Sequence, residues 1–66
     1  MVNLKLSKEI YEKDKILTAQ LDYENYANIT VLEENDSWIL GFDKCKYGEE
    51  RTVKEFENYL IELENR

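Results

Sequence analysis

The only cysteine of the chain, Cys45, lies between two lysines in the stretch FDKCKYGEERT. Cations beside a thiol lower its pKa and favour the nucleophilic thiolate, so Lys44 and Lys46 would activate Cys45. Acidic residues at 43 and at 49–50 offset that positive charge, and no base or second ligand follows the thiol. We therefore interpret Cys45 as a loop or strand-end residue, and keep a minimal enzyme built on this thiol only as a third hypothesis.

The chain lacks the residue types that metal and cofactor chemistry needs. The chain contains no histidine, which is the commonest general base and the commonest metal ligand, and one thiol cannot build a zinc site. The carboxylate pairs at 33–34 and 49–50 stand beside turns, where solvated charge is their ordinary role. Gly41 and Gly48 stand alone, so there is no glycine-rich phosphate loop. The sequence predicts no enzyme, no catalytic residue, no metal and no cofactor.

Charge limits the classes of partner. With 15 acidic and 9 basic residues, the chain has a net charge of −6. Nucleic acids and anionic membrane surfaces both draw affinity from cations on the protein, so neither is expected as a direct ligand. The surface instead suits a basic protein groove or a basic peptide. The alternative is that the acidic surface only keeps a small protein in solution.

Length predicts one small domain spanning residues 1–66. A domain of this size buries only about 60% of its unfolded surface, which leaves no room for a cofactor cleft beside a stable core. A lone cysteine cannot form an internal disulfide. Because there is also no signal-peptide pattern and no long apolar run, we expect a cytoplasmic protein without a membrane span.

Hydrophobic spacing predicts five short elements. Apolar residues alternate with polar ones over 1–6, 27–33 and 37–43, which indicates strands, and the polar turn EENDS joins the last two strands into a hairpin. A first helix is expected over about 12–24. Thr52 and Glu55 resemble a capping box, which would start a second helix that buries Val53, Phe56, Leu60 and Leu63.

The order β-α-β-β-α predicts an α+β fold. If the third strand inserts between the first two, the sheet order is 1-3-2 with both helices on one face, which is a split β-α-β unit or a ferredoxin-like fold without its last strand. Such a sheet has an open face and exposed edges, which proteins usually pair or cover. We expect a homodimer or a protein or peptide partner there.

Five residues are candidates for contact with a partner. Leu32 and Ile39 should point away from the helices and leave apolar groups on an otherwise polar sheet face. Tyr26 and Tyr47 lie near element ends, where tyrosine often makes protein contacts. Trp38 either anchors a thin core or lies at an interface.

The whole pattern resembles the small HxsD-like proteins found beside radical-SAM peptide maturases of the His-Xaa-Ser type. LSKEIY, YANITV and WILGF resemble the family's turn and strands, and VKEFENYLIELENR resembles its C-terminal helix through Phe56, Asn58 and Leu60. The resemblance implies a non-catalytic accessory role, in which the protein helps a radical-SAM enzyme to engage or release a ribosomally made precursor peptide.

A second hypothesis comes from charge alone. A small acidic protein of the phage type can mimic nucleic-acid phosphates and block a basic groove on its target. Binding of that kind weakens steeply with salt, whereas strand addition at a sheet edge depends mainly on backbone hydrogen bonds. Salt dependence therefore separates the two hypotheses.

Overall fold

The computed structural model describes residues 2–65 and has the predicted order of elements. The elements are β1 (Val2–Ser7), α1 (Lys13–Asp22), β2 (Asn28–Glu33), β3 (Ser37–Asp43) and α2 (Glu49–Glu64). The sheet order is β1-β3-β2, and both outer strands run antiparallel to β3. The predicted α+β fold with sheet order 1-3-2 is confirmed.

Both helices pack on one face of the sheet, because alternation along the strands collects the large apolar side chains there. Leu40 pairs with Leu4 on one side and with Val31 on the other, and all three share the helix side. Phe42 and Phe56 join sheet to helix through an edge-to-face ring contact with centroids 5.3 Å apart. The buried apolar core consists of Leu6, Ile16, Ala19, Ala27, Ile29, Trp38, Leu40, Phe42, Phe56, Leu60 and Leu63.

Helix α1 is shorter and less amphipathic than its sequence suggests. It ends at Asp22 rather than near residue 24, and only Ile16 and Ala19 are buried. Leu17 and Leu21, which flank this stripe in the sequence, are exposed. A sheet of only three strands is too narrow to bury a wider face on each of two helices.

Helix α2 begins before the capping box, so that prediction is wrong. Its N-cap is Gly48, which has a φ of 95°, and no side chain caps the helix. The Thr52 hydroxyl donates 2.7 Å to the Gly48 carbonyl, and Glu55 accepts from Arg51 four residues back. The acidic residues at 49 and 50 stabilise the first turn through the helix dipole instead.

Candidate functional site

The five predicted partner residues lie in three different places. Leu32 and Ile39 are on the open sheet face, Trp38 is in the core, and Tyr26 and Tyr47 line a cleft between the helices. The structure therefore brings together two pairs of the predicted residues but does not form a single site from all five.

The open sheet face carries the predicted apolar pair. Leu32 and Ile39 are direct partners across β2 and β3, and the Leu32 side chain is 65% exposed. Their strand neighbours on this face are polar or small, including Lys5, Thr30 and Gly41. Two side chains form a far smaller patch than interaction surfaces of a few hundred Å². The face alone does not define a docking surface.

Trp38 lies in the core, which corresponds to the first of its two predicted roles. Its side chain is 7% exposed, and its indole N–H donates 3.1 Å to the Tyr11 carbonyl. The ammonium of Lys8 lies 4.7 Å from the ring centroid and also pairs with Glu33 at 2.7 Å. The indole therefore has no surface to offer a partner.

The outer edge of β1 presents backbone hydrogen-bonding groups to solvent. In an antiparallel ladder, successive residues direct their N–H and C=O groups alternately toward and away from the neighbouring strand. The Lys8 N–H donates a hydrogen bond of 3.0 Å to the Asp36 carbonyl, which extends the ladder between β1 and β3 beyond Ser7. The N–H and C=O groups of even-numbered residues of β1 therefore point toward β3. The backbone groups of Asn3 and Lys5 therefore point outward, and both residues are exposed.

The other edge of the sheet is partly covered. The Gln20 amide on α1 donates 2.6 Å to the Ile29 carbonyl on the outer side of β2. On β1, the Ser7 carbonyl accepts from the N–H groups of Ile10 and Tyr11, which closes the C-terminal end of that strand. Among residues 2–65, Asn3 and Lys5 of β1 thus form an uncovered stretch of sheet edge, and on β2 the outward backbone groups of Val31 form a shorter one beyond the covered carbonyl of Ile29.

An acidic groove lies between the start of β1 and α2. It has a volume of about 610 Å³, and Val2 and Val53 form its apolar floor. Val2, Leu4 and Val53 are half-buried at this border of the core. The polar residues of the groove are Glu49, Glu50, Lys54 and Glu57. An extended segment beside β1 would therefore meet apolar groups below α2 and an excess of carboxylates around them.

The second concave site is a cleft of about 540 Å³ between α1 and α2, which we call the tyrosine cleft. The loop after β3 is tied to it, because the Lys46 N–H donates 2.7 Å to the Tyr26 carbonyl. This bond brings Tyr47 beside Tyr26, with ring centroids 5.9 Å apart. The cleft is lined by Asp22, Tyr23, Tyr26, Tyr47, Arg51, Thr52, Glu55 and Tyr59.

Tyr23 is the centre of the aromatic contacts. Its ring centroid lies 5.7 Å from those of Tyr26 and Tyr59, and 5.4 Å from that of Phe56 in the core. The Tyr59 hydroxyl donates a short hydrogen bond to the Asp22 carboxylate, which fastens α2 to the end of α1. Tyr23 and Tyr59 both lie half-buried at the border of the core.

Charges surround these rings. Arg51 donates 2.8 Å to Glu55, and its guanidinium carbon lies 5.9 Å from the Tyr47 ring centroid. The Lys46 ammonium lies 5.6 Å from the same ring. Burial, and after it the carboxylate of Glu55, raises the pKa of Tyr23 above its usual value. The deep part of the cleft thus disfavours additional negative charge.

The residues that sequence reasoning missed are those defined by long-range geometry. Asn3 and Lys5 alternate with apolar residues and were assigned only to a strand, and Gln20 has no motif that marks it as an edge cover. Cys45 is half-buried and packs against the core. Over residues 2–65, no group of three or more Cys, Asp or Glu side chains is placed to hold a metal ion.

Comparison of the chain with models of known protein families, with curated proteins and with solved structures found no match. Within residues 2–65, neither helix has the length and apolar character required to cross a membrane.

Proposed function

We propose that this protein is a non-catalytic binding protein that takes up an extended peptide segment as an additional strand beside β1. The observation that carries the proposal is the difference between the two sheet edges. The outward carbonyl of Ile29 on β2 is satisfied by Gln20, whereas Asn3 and Lys5 direct their backbone groups to solvent. Uncovered strand edges bind extended peptides through main-chain hydrogen bonds.

The groove beside β1 specifies the chemistry of the peptide. A residue opposite Leu4 would have its side chain on the helix side, next to the half-buried Val2 and Val53. Its neighbours in the peptide would point to the open face, so apolar and polar residues should alternate. Glu49, Glu50 and Glu57 favour a basic peptide.

A second copy of the chain is the less suitable occupant. Each copy has a net charge of −6, so two copies repel each other at the distance of a shared sheet. A basic peptide gains from the same charge. The peptide therefore fits the edge better than a homodimer does.

The test is a titration of isotope-labelled protein with a short peptide of alternating valine and lysine, followed by NMR. We expect amide shifts and slower hydrogen exchange at Asn3 and Lys5, with β2 unchanged. The control peptide has the same sequence with every backbone nitrogen methylated, which removes the donors that face β1 whichever way the peptide runs, and it should not bind. Equal binding of both peptides, changes centred on β2, or a β1-linked homodimer in sedimentation would overturn the proposal.

The resemblance of the C-terminal helix to HxsD-like proteins supports a particular source for the peptide. We propose a ribosomally made precursor that a radical-SAM enzyme modifies, with this protein holding the precursor in an extended form. Co-purification of such an enzyme or its precursor from the native cell, in a manner that depends on the β1 edge, would support this role. A radical-SAM gene beside this one would favour the same source.

Charge distribution favours one second candidate, an acidic inhibitor that blocks a basic groove. Helix α2 carries six glutamates and only two basic residues. Binding through such a surface should weaken steeply as salt rises from about 50 to 200 mM, and neutralising the exposed glutamates of α2 should abolish it. Binding through the β1 edge should lose far less under both changes.

A further inference from the structure

The tyrosine cleft exposes aromatic side chains that the core does not need for its own packing. Phe42 and Phe56 already close the core from sheet to helix and are fully buried. Beyond them, Tyr26 and Tyr47 remain 42% and 55% exposed although their rings are in contact. Exposed rings arranged around a concave site are typical of recognition of a flat or cationic group.

The protein's own cations indicate which group the rings accept. The Arg51 guanidinium lies near the face of Tyr47 while it pairs with Glu55, and the Lys46 ammonium lies within 6 Å of the same ring. A guanidinium is planar, so it stacks on a tyrosine while its N–H groups reach a carboxylate. Arg51 therefore already makes, at the outer side of the cleft, the combined contact with a tyrosine ring and a carboxylate that a guanidinium can make.

The electrostatic field in the cleft has the sign that a cation needs. The carboxylates of Asp22, which accepts from Tyr59, and of Glu55, which accepts from Arg51, both line the cleft. The raised pKa of Tyr23 is explained by burial first and then by Glu55, Tyr26 and Glu62. Burial opposes a charge of either sign, whereas the nearby carboxylates oppose a further negative charge and stabilise a positive one.

We infer that the tyrosine cleft binds the guanidinium of an arginine side chain from a protein or peptide partner, between the tyrosine rings and the carboxylates of Asp22 and Glu55. The volume of about 540 Å³ is within the range of small-ligand sites and admits one such side chain with its flanking backbone. The cleft lies on the flank of α2 that faces α1, whereas the β1 groove lies on the opposite flank. The inference therefore does not depend on strand addition, and each can fail alone.

The probe is Nα-acetyl-arginine amide, compared with the uncharged Nα-acetyl-citrulline amide, which has nearly the same shape. We expect the arginine probe to shift the ring resonances of Tyr23, Tyr26, Tyr47 and Tyr59, and the citrulline probe to bind about three- to tenfold more weakly. Equal affinity for the two probes, or no ring shifts with either of them, would overturn the inference.

Matched variants separate a specific site from general attraction to an acidic protein. Glu55→Gln should weaken binding of the arginine probe about three- to tenfold, whereas Glu57→Gln on the other flank of α2 should leave it unchanged. Arg51→Ala should tighten binding, because it releases Glu55 and one face of Tyr47 for the probe. Equal losses in the two glutamate variants, or weaker binding after Arg51→Ala, would contradict the site.

Discussion

The side-chain amide of Gln20 donates a hydrogen bond of 2.6 Å to the backbone carbonyl of Ile29, so α1 covers part of the outer edge of β2. No described side chain does the same for Asn3 or Lys5 on β1. Because sheet edges with unpaired backbone groups recruit other strands, this contact leaves β1 with the longer uncovered edge of the two. The proposed function depends on that difference.

The first prediction concerns the hydrogen bond itself. Gln20→Met keeps the aliphatic part of the side chain and removes the amide, so it should lower the free energy of unfolding by about 1 kcal/mol. Gln20→Ala removes both parts and should cost somewhat more. Urea unfolding measures the two values. Unchanged stability in both variants would show that the Gln20 amide does not stabilise the β2 edge.

The second prediction concerns the role of Trp38. Trp38→Phe removes the donor to the Tyr11 carbonyl, weakens the contact of the ring with Lys8, and leaves a space in the core. We expect a loss of about 1–3 kcal/mol in the free energy of unfolding. Leu32→Ala in the same hairpin is the control and should change stability by less than about 0.5 kcal/mol. A larger loss for Leu32→Ala than for Trp38→Phe would contradict the assignment of Trp38 to the core.

The third prediction concerns the start of α2. Gly48 has a φ of 95°, and a Cβ there would meet no atom within 4 Å, so Gly48→Ala is strained by its backbone and not by a clash. The variant should lose about 1–2 kcal/mol of unfolding free energy in urea. Asn58→Ala, at an exposed position of the same helix, should be neutral or slightly stabilising. If Gly48→Ala were as stable as Asn58→Ala, the start of α2 would not depend on the positive φ of residue 48.

The fourth prediction concerns alkaline pH. Burial and then Glu55 raise the pKa of Tyr23 in the folded state above the value of about 10 expected for an unfolded chain. The unfolded state therefore ionises first, and the contribution of Tyr23 is complete below pH 10 and lost as pH rises through the folded pKa. In urea unfolding between pH 7 and 11, Tyr23→Phe should lose less stability at the alkaline end than the wild type does. Equal losses of stability at alkaline pH in both proteins would show that the raised pKa of Tyr23 is not their cause.

Period-2 alternation was enough to predict the three strands and the faces of their apolar residues, and the sheet order followed from the order of the elements. Leu32 and Ile39 were placed on the open face by that alternation alone, and they pair there. The start of α2 could not be predicted in the same way, because a Thr52 hydroxyl can cap a helix or donate back to Gly48. That choice depends on the loop before the helix.

The binding sites depend on contacts between distant parts of the chain. Tyr23 meets Tyr59, and Tyr26 meets Tyr47, only after the helices and the loop after β3 have packed. The outward direction of the Asn3 and Lys5 backbone depends on the register of β1 against β3, which local spacing leaves open. Tyrosines were therefore expected at contacts, but their cleft was not foreseen.

The most direct measurement of the central claim is the affinity of the alternating valine–lysine peptide for Lys5→Pro. Proline removes an N–H that points away from β3, so the ladder is kept and edge strands tolerate it. Val31→Pro removes the equivalent outward N–H on β2, and Lys5→Ala controls for the lost side-chain charge. We predict that Lys5→Pro alone weakens peptide binding about tenfold or more, because it removes one backbone hydrogen bond and distorts the contacts around it. Wild-type affinity in a folded Lys5→Pro variant, or an equal loss in Val31→Pro, would contradict strand addition at β1.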